Sequence, residues 1–181
     1  LRNAWLRSLP EAAQQRLADQ VAQALQALHT TPVEGLPQTG APVTADLTGL
    51  QEGQRLVLEW RGQPIWIVKR SKAILEALPG LDGRLRDPQS TNADQQPAYV
   101  LKDNPEFRSI KPEISVLVGL CTHLGCSPEM AAEIRPQPYD PDWQGGYFCP
   151  CHKSRFDMSG RVFQGVPAPT NLVVPPHFYE N

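Results

Sequence analysis

Two short segments hold most of the side chains able to bind a transition metal: Cys121-Thr-His-Leu-Gly-Cys126 and Cys149-Pro-Cys-His-Lys-Ser154. All 4 cysteines of the chain lie here, together with His123 and His152 out of 4 histidines. Scattered cysteines serve as small core residues, but cysteines interleaved with histidines at this spacing read as a metal site. Each segment pairs a thiolate with an imidazole, as Cys-x-His in the first and Cys-x-x-His in the second. Three chemistries fit. Tetrahedral zinc would take two Cys and two His and leave two cysteines over. An all-thiolate iron–sulfur cluster would take Cys121, Cys126, Cys149 and Cys151, leaving both histidines idle. A cluster with two thiolates on one iron and two neutral imidazoles on the other leaves Cys126 and Cys151, one per segment, free to bond to each other. The third option alone gives every one of these side chains a task.

Such segments need rigid elements on both flanks. The apolar run Ile114–Leu120 predicts a strand leading into Cys121, and Gly146–Phe148 a shorter one leading into Cys149. Arg55–Trp60 and Pro64–Lys69 flank Arg61-Gly-Gln63 and predict a hairpin, with Trp60 and Trp66 in the core. Ser71 is placed to cap a short helix over Lys72–Leu78. Residues 79–112 are rich in turn formers, and the acidic residues between Asp82 and Asp103 read as a solvated loop. Arg161–Phe163 and Asn171–Val174 are further candidate strands, and Ser127–Gln144 reads as a surface excursion. With 19 prolines and 13 glycines, short strands and many loops are favoured over a helical bundle. His29 and His177 read as surface or packing residues, and Trp5 and Trp143 receive no role.

The first 40 residues differ. Leu17, Val21, Leu25 and Leu28 form an apolar stripe within Glu11–His29, with Pro10 suited to the first turn. This predicts an amphipathic helix docked on its own domain or a partner, since its polar face is mostly Gln rather than the Lys and Arg of a membrane-surface helix. Thr30–Pro42 reads as a linker. No run of about 18 apolar residues marks a spanning helix, and no signal peptide is visible. The sequence begins at Leu1 rather than Met, as a processed or trimmed product would. A net charge of −2 argues against a nucleic-acid surface.

The two segments resemble the paired cluster-binding boxes of Rieske iron–sulfur proteins. The additional cysteines resemble those of the disulfide-bearing branch, the iron–sulfur subunits of bacterial ubiquinol–cytochrome c reductases. The likeness runs from about Val43 to Phe178 and includes Gly145-Gly-Tyr-Phe-Cys149, Gly165-Val-Pro-Ala-Pro169 and Asn171-Leu-Val-Val-Pro175. It implies an all-β fold, an antiparallel sandwich over residues 43–178 with an inserted cluster-binding subdomain at about 120–166. It implies a [2Fe–2S] cluster with Cys121 and Cys149 on one iron and His123 and His152 on the other. A Cys126–Cys151 disulfide would lock the boxes together and place the domain in an oxidising compartment, here the periplasmic face of the bacterial inner membrane.

The implied function is electron transfer from quinol to a c-type cytochrome, with cytochrome b and the c-type cytochrome as partner subunits. Neutral imidazoles in place of two thiolates raise the potential into the range of roughly −150 to +300 mV. Reduction would raise their affinity for protons, so His152 or His123 could accept a quinol proton. Further roles follow from the resemblance. Gly125 permits a tight bend, Pro150 stiffens the second box, and Leu124 shields the cluster and meets the quinol. The Ser154 hydroxyl donates to a cluster sulfur. Phe156 stands where many high-potential members carry Tyr, which implies a lower potential, and Lys153 stands where Gly is common, its charge partly offsetting the missing donor. A transmembrane helix normally precedes the tether in this family. Membrane association would therefore run through an anchor that these residues do not contain. The alternatives are a Rieske subunit of another periplasmic oxidoreductase, such as an arsenite oxidase, or a soluble Rieske ferredoxin. A ring-hydroxylating oxygenase would need a separate mononuclear iron domain, for which the chain has no room.

Overall fold

In the computed structural model, residues 42–103 and 105–180 are described. The predicted N-terminal helix and linker lie outside them, apart from Pro42. Arg55–Trp60 (β1) and Gln63–Lys69 (β2) pair antiparallel from Trp60↔Gln63 to Arg55↔Val68. The turn between them is Arg61-Gly62, one residue shorter than expected. Both residues have positive φ, 52° and 70°, as the favoured two-residue hairpin turn requires. Ile114–Val118 (β3) pairs antiparallel with the other edge of β2, giving the order β1-β2-β3.

Alternation along β2 and β3 divides the molecule. Ile65, Ile67, Ile114, Val116 and Val118 face one layer, packed by Leu47, Leu50, Leu56, Leu58, Val173 and Tyr179. Trp66, Val68 and Leu117 face the larger core. With both sides of the sheet covered, β3 is buried at all 5 positions and reads as a continuous apolar run rather than an alternating one. Lys72–Ala77 (α1) follows β2. The Ser71 hydroxyl oxygen accepts from the Ile74 N–H at 3.4 Å, and the buried Ile74 turns into the larger core.

The second sheet comprises Glu129–Ala131 (β4), Gly146–Phe148 (β5) and Arg155–Asp157 (β6), all antiparallel in that order. Gly146 is required here, because a Cβ on it would collide with the carbonyl oxygen of Phe156. The stretch 127–144 is therefore no mere surface excursion. It supplies β4 and the fully buried Trp143, whose Nε1–H donates to Ala131 O at 2.8 Å and whose ring stacks on Phe163. Two expected strands are absent. Val162 and Phe163 form only isolated bridges, to Phe156 and Leu85. Asn171–Val174 divides its hydrogen bonds among partners that lie in no common strand: Leu172 N–H donates to Gly160, Val174 N–H to Gln95, and Val173 O accepts from Val118. Such divided bonding, followed by Pro175 and Pro176, supports no continuous ladder.

The loops are held by buried arginines. Arg161, fully buried, pairs with Asp157 at 2.7 Å and Asp82 at 2.8 Å and donates to Leu78 O. Asp82, with its side chain 39% exposed, thus also serves a structural ion pair. Arg70 donates to Phe107 O, Ser109 and Ser159, and Arg108 to Gln96, Ser159 O and Leu172 O. Burial pulls both guanidinium pKa values down to about 10, which leaves them charged at neutral pH. Among the described residues, no helix is long and apolar enough to cross a membrane.

Candidate metal centre

The two segments are rooted on different sheets, and one indole aligns their roots. The Trp66 ring lies against Gly119, two residues before Cys121, where any Cβ would collide with it. The same ring stacks on Tyr147, two residues before Cys149, at 5.1 Å between centroids.

Each segment then closes on itself with the same pair of backbone bonds. In the first, Gly125 N–H donates to Cys121 O and Cys121 N–H to Cys126 O. In the second, Lys153 N–H donates to Cys149 O and Cys149 N–H to Ser154 O. Both loops turn through the left-handed region at their penultimate residue, with φ 78° at Gly125 and 63° at Lys153. A glycine meets this demand without steric cost, whereas a lysine does not.

Cys121 and Cys149 are buried free thiols. Burial raises the Cys121 thiol pKa, opposed by the His123 backbone N–H and the Ser154 hydroxyl. Ser154 itself is fully buried, and its oxygen also accepts from Ala168 N–H at 3.0 Å. Cys126 and Cys151 form a disulfide with Cα atoms 6.6 Å apart. The His123 and His152 rings meet edge to face, centroids 4.7 Å apart at 90°. Leu124 is 70% exposed at the tip, and Pro150, His152 and Lys153 are exposed beside it. Phe156 is fully buried on β6 opposite Tyr147. One contact had no sequence signal: Thr122 Oγ1 donates to Thr170 O at 2.7 Å, tying the first loop to the proline-rich segment. A short polar residue inside a metal box is easily passed over when only donors of thiolate and imidazole type are sought.

The donor set can be tested against an iron–sulfur group. His123 Nδ1 is buried and has no hydrogen-bond partner. Such a nitrogen costs free energy unless something covers it. A metal coordinated there would remove that cost, and two free buried thiols in the same pair of loops supply the remaining charge. The residues fit the group.

A family model for the Rieske [2Fe-2S] domain matches residues 80–176. The chain belongs to the Rieske family, whose cofactor is a [2Fe–2S] cluster. Within it, the chain is 54% identical over 142 residues to the ubiquinol-cytochrome c reductase iron-sulfur subunit of Allochromatium vinosum, covering 78% of this chain and 67% of that one. It is 41% identical over 139 residues to the subunit of the same name from Bradyrhizobium diazoefficiens, covering 76% and 66%. The mitochondrial cytochrome b-c1 complex Rieske subunit of Neurospora crassa is 40% identical over 136 residues, covering 75% and 48%. The matched region spans about two thirds of the bacterial relatives and about half of the fungal one.

Proposed function

We infer that this chain is the iron–sulfur electron carrier of a quinol–cytochrome c reductase, with residues 43–178 as the redox domain and about 120–166 as its cluster-bearing part. Cys121 and Cys149 would hold one iron, and His123 and His152 the other. When bound, the cluster accepts one electron from quinol and passes it to a c-type haem. The chain's own residues set the conditions for that exchange. The buried thiolates and the Ser154 hydroxyl keep water from the sulfur side. If His123 Nδ1 faces the metal, Nε2 is the outer nitrogen, free to hold a quinol proton on the exposed side. Leu124 covers the tip between the histidines and the incoming ring. Cytochrome b and a c-type cytochrome are the partner subunits, and the periplasmic face of the bacterial inner membrane is the location. The disulfide supports that placement, since such bonds persist in oxidising compartments.

The observation that carries this reading is the orphaned His123 nitrogen beside two free buried thiols, in loops joined by the disulfide. Electron paramagnetic resonance of the reduced chain tests the ligation, because mixed nitrogen and sulfur ligation lowers the average g value relative to all-thiolate ligation. An all-thiolate signature, or a protein free of iron after anaerobic reconstitution, would overturn it. Quinol-dependent cytochrome c reduction by the assembled complex tests the reaction.

A further inference from the structure

Among the described residues, β1 is the open edge of the first sheet. The opposite edge has a partner, since Val118 N–H on β3 donates to Val173 O. The two-residue turn makes Trp60 and Gln63 a hydrogen-bonded pair. Bonding then alternates back along the strand to Gln54, whose O accepts from Lys69 N–H at 3.2 Å. The even-numbered residues of β1 therefore bond to β2, and the N–H and C=O groups of Arg55, Val57 and Glu59 point to the open edge. The side chains of the same three residues are exposed, Val57 at 50%. An unpaired strand edge is a template for another strand, and charged side chains ordinarily guard it. Here the two guards have opposite sign and stand symmetrically about Val57. Neither Arg55 nor Glu59 has an ion-pair partner among the described residues.

We propose that β1 is a self-complementary docking edge whose partner is β1 of a second copy of this chain, paired antiparallel about a two-fold axis through Val57. That register sets Val57 opposite Val57, Arg55 opposite Glu59 and Leu56 opposite Leu58. Unlike charges then face each other, and apolar residues face apolar ones. The pairs made by Arg55, Val57 and Glu59 are the hydrogen-bonded ones, giving about six backbone bonds.

Other registers lose the match. Slipped one way, Arg55 faces Val57 and Glu59 faces Gly53; slipped the other way, Arg55 faces Arg61 and Glu59 faces Val57. A parallel pair in register would set Arg55 against Arg55 and Glu59 against Glu59. The two-fold contact uses the same patch on both copies, so the assembly closes at two. A single pair of 6-residue strands falls short of the roughly 1,200–2,000 Å2 of a long-lived interface, which makes the dimer concentration-dependent. Arg55 already lies over the Trp66 ring at 4.6 Å, so its charge is held at the sheet. β3, which leads into Cys121, lies on the far side of β2, so the first metal loop leaves from the opposite edge. This inference concerns the base sheet and does not rest on the electron-transfer reading.

The test is sedimentation equilibrium of the full chain, loaded with its cluster, from about 10 μM to about 1 mM. Wild type is expected to pass from monomer to dimer with no larger species. Glu59→Arg and Arg55→Glu should each weaken self-association about tenfold or more, because each places two like-charge pairs across the axis. An equal mixture of the two variants should recover the dimer, since the mixed pair restores unlike charges at both positions. Val57→Pro removes an outward N–H that β2 does not use, and should weaken the dimer while the hairpin persists. A wild-type chain that stays monomeric to about 1 mM overturns the proposal, and that measurement requires no variant to fold. A dimer that Glu59→Arg and Val57→Pro leave unchanged overturns it as well, because another surface then joins the copies. So does a mixture that associates no better than its separate components.

Discussion

The loops 121–126 and 149–154 share a backbone and differ in what their last residue does. Both close with bonds from position five to position one and from position one to position six, and both turn left-handed at position five. At position six, Cys126 crosses to the second loop as a covalent bond to Cys151. Ser154, its counterpart, makes no covalent crossing: its buried hydroxyl oxygen accepts from Ala168 N–H, and the hydroxyl opposes the burial-driven rise of the Cys121 thiol pKa. One scaffold used twice has thus been braced in two chemically unlike ways, one covalent and one by a buried hydrogen bond. The first brace acts on stability, and under the proposed ligation the second would act on the electronics of the site.

The sharpest way to break this equivalence is at the nitrogen donors. His123→Ala and His152→Ala, one from each loop, are both expected to abolish cluster incorporation, read as iron and acid-labile sulfide content. Retention by one but not the other would show that the loops are not equal partners. Cutting the covalent brace comes next. Joint replacement Cys126→Ser and Cys151→Ser should cost about 3 kcal/mol of stability, from the loop-closure entropy of a 25-residue separation. Denaturant unfolding of the cluster-loaded protein measures this, and the midpoint potential should move less than it does for Ser154→Ala.

Ser154→Ala removes the hydroxyl and deprives the Ala168 N–H of its acceptor. The expected loss is about 1 kcal/mol, with a fall in midpoint potential, since a donor to the sulfur favours the more negative reduced state. An unchanged potential would remove the electronic role assigned to this brace. Phe156→Tyr tests the same lever from the opposite side. A phenol hydroxyl donating to the site should raise the potential, and a flat titration would exclude it. The smallest effect concerns the shared backbone. Lys153→Gly should stabilise by about 0.5–1 kcal/mol, and Gly125→Ala should destabilise by about 1 kcal/mol, because only glycine adopts the left-handed position freely. Thermal unfolding of the pair checks this, and equal shifts of the same sign would contradict the backbone equivalence.

Much of the fold was legible where local chemistry is strong. The β1–β2 hairpin follows from β-branched and aromatic residues around Arg61-Gly62, and α1 from the Ser71 cap. The three-residue strands β4 and β6 were not foreseen, because three residues carry no measurable periodicity. The expected strand at 171–174 failed for the converse reason: its residues have strand propensity, yet their hydrogen bonds are claimed by Gly160, Gln95 and Val118. Nor could composition place Arg70, Arg108 and Arg161 in the interior. A charged residue is ordinarily read as surface, and only folding assembles the carbonyls, hydroxyls and carboxylates that make burial tolerable.

The donor types, their spacing within each loop and the left-handed demand at Gly125 were determined by the chain itself, because they depend on residues a few bonds apart. What the tertiary structure alone decided is how two loops on different sheets meet: Trp66 wedged against Gly119 and stacked on Tyr147, Cys126 bonded to Cys151, Thr122 tied to Thr170. Those contacts join residues more than twenty positions apart. Their distances are set by strand register and side-chain packing, which no local pattern of amino acids records.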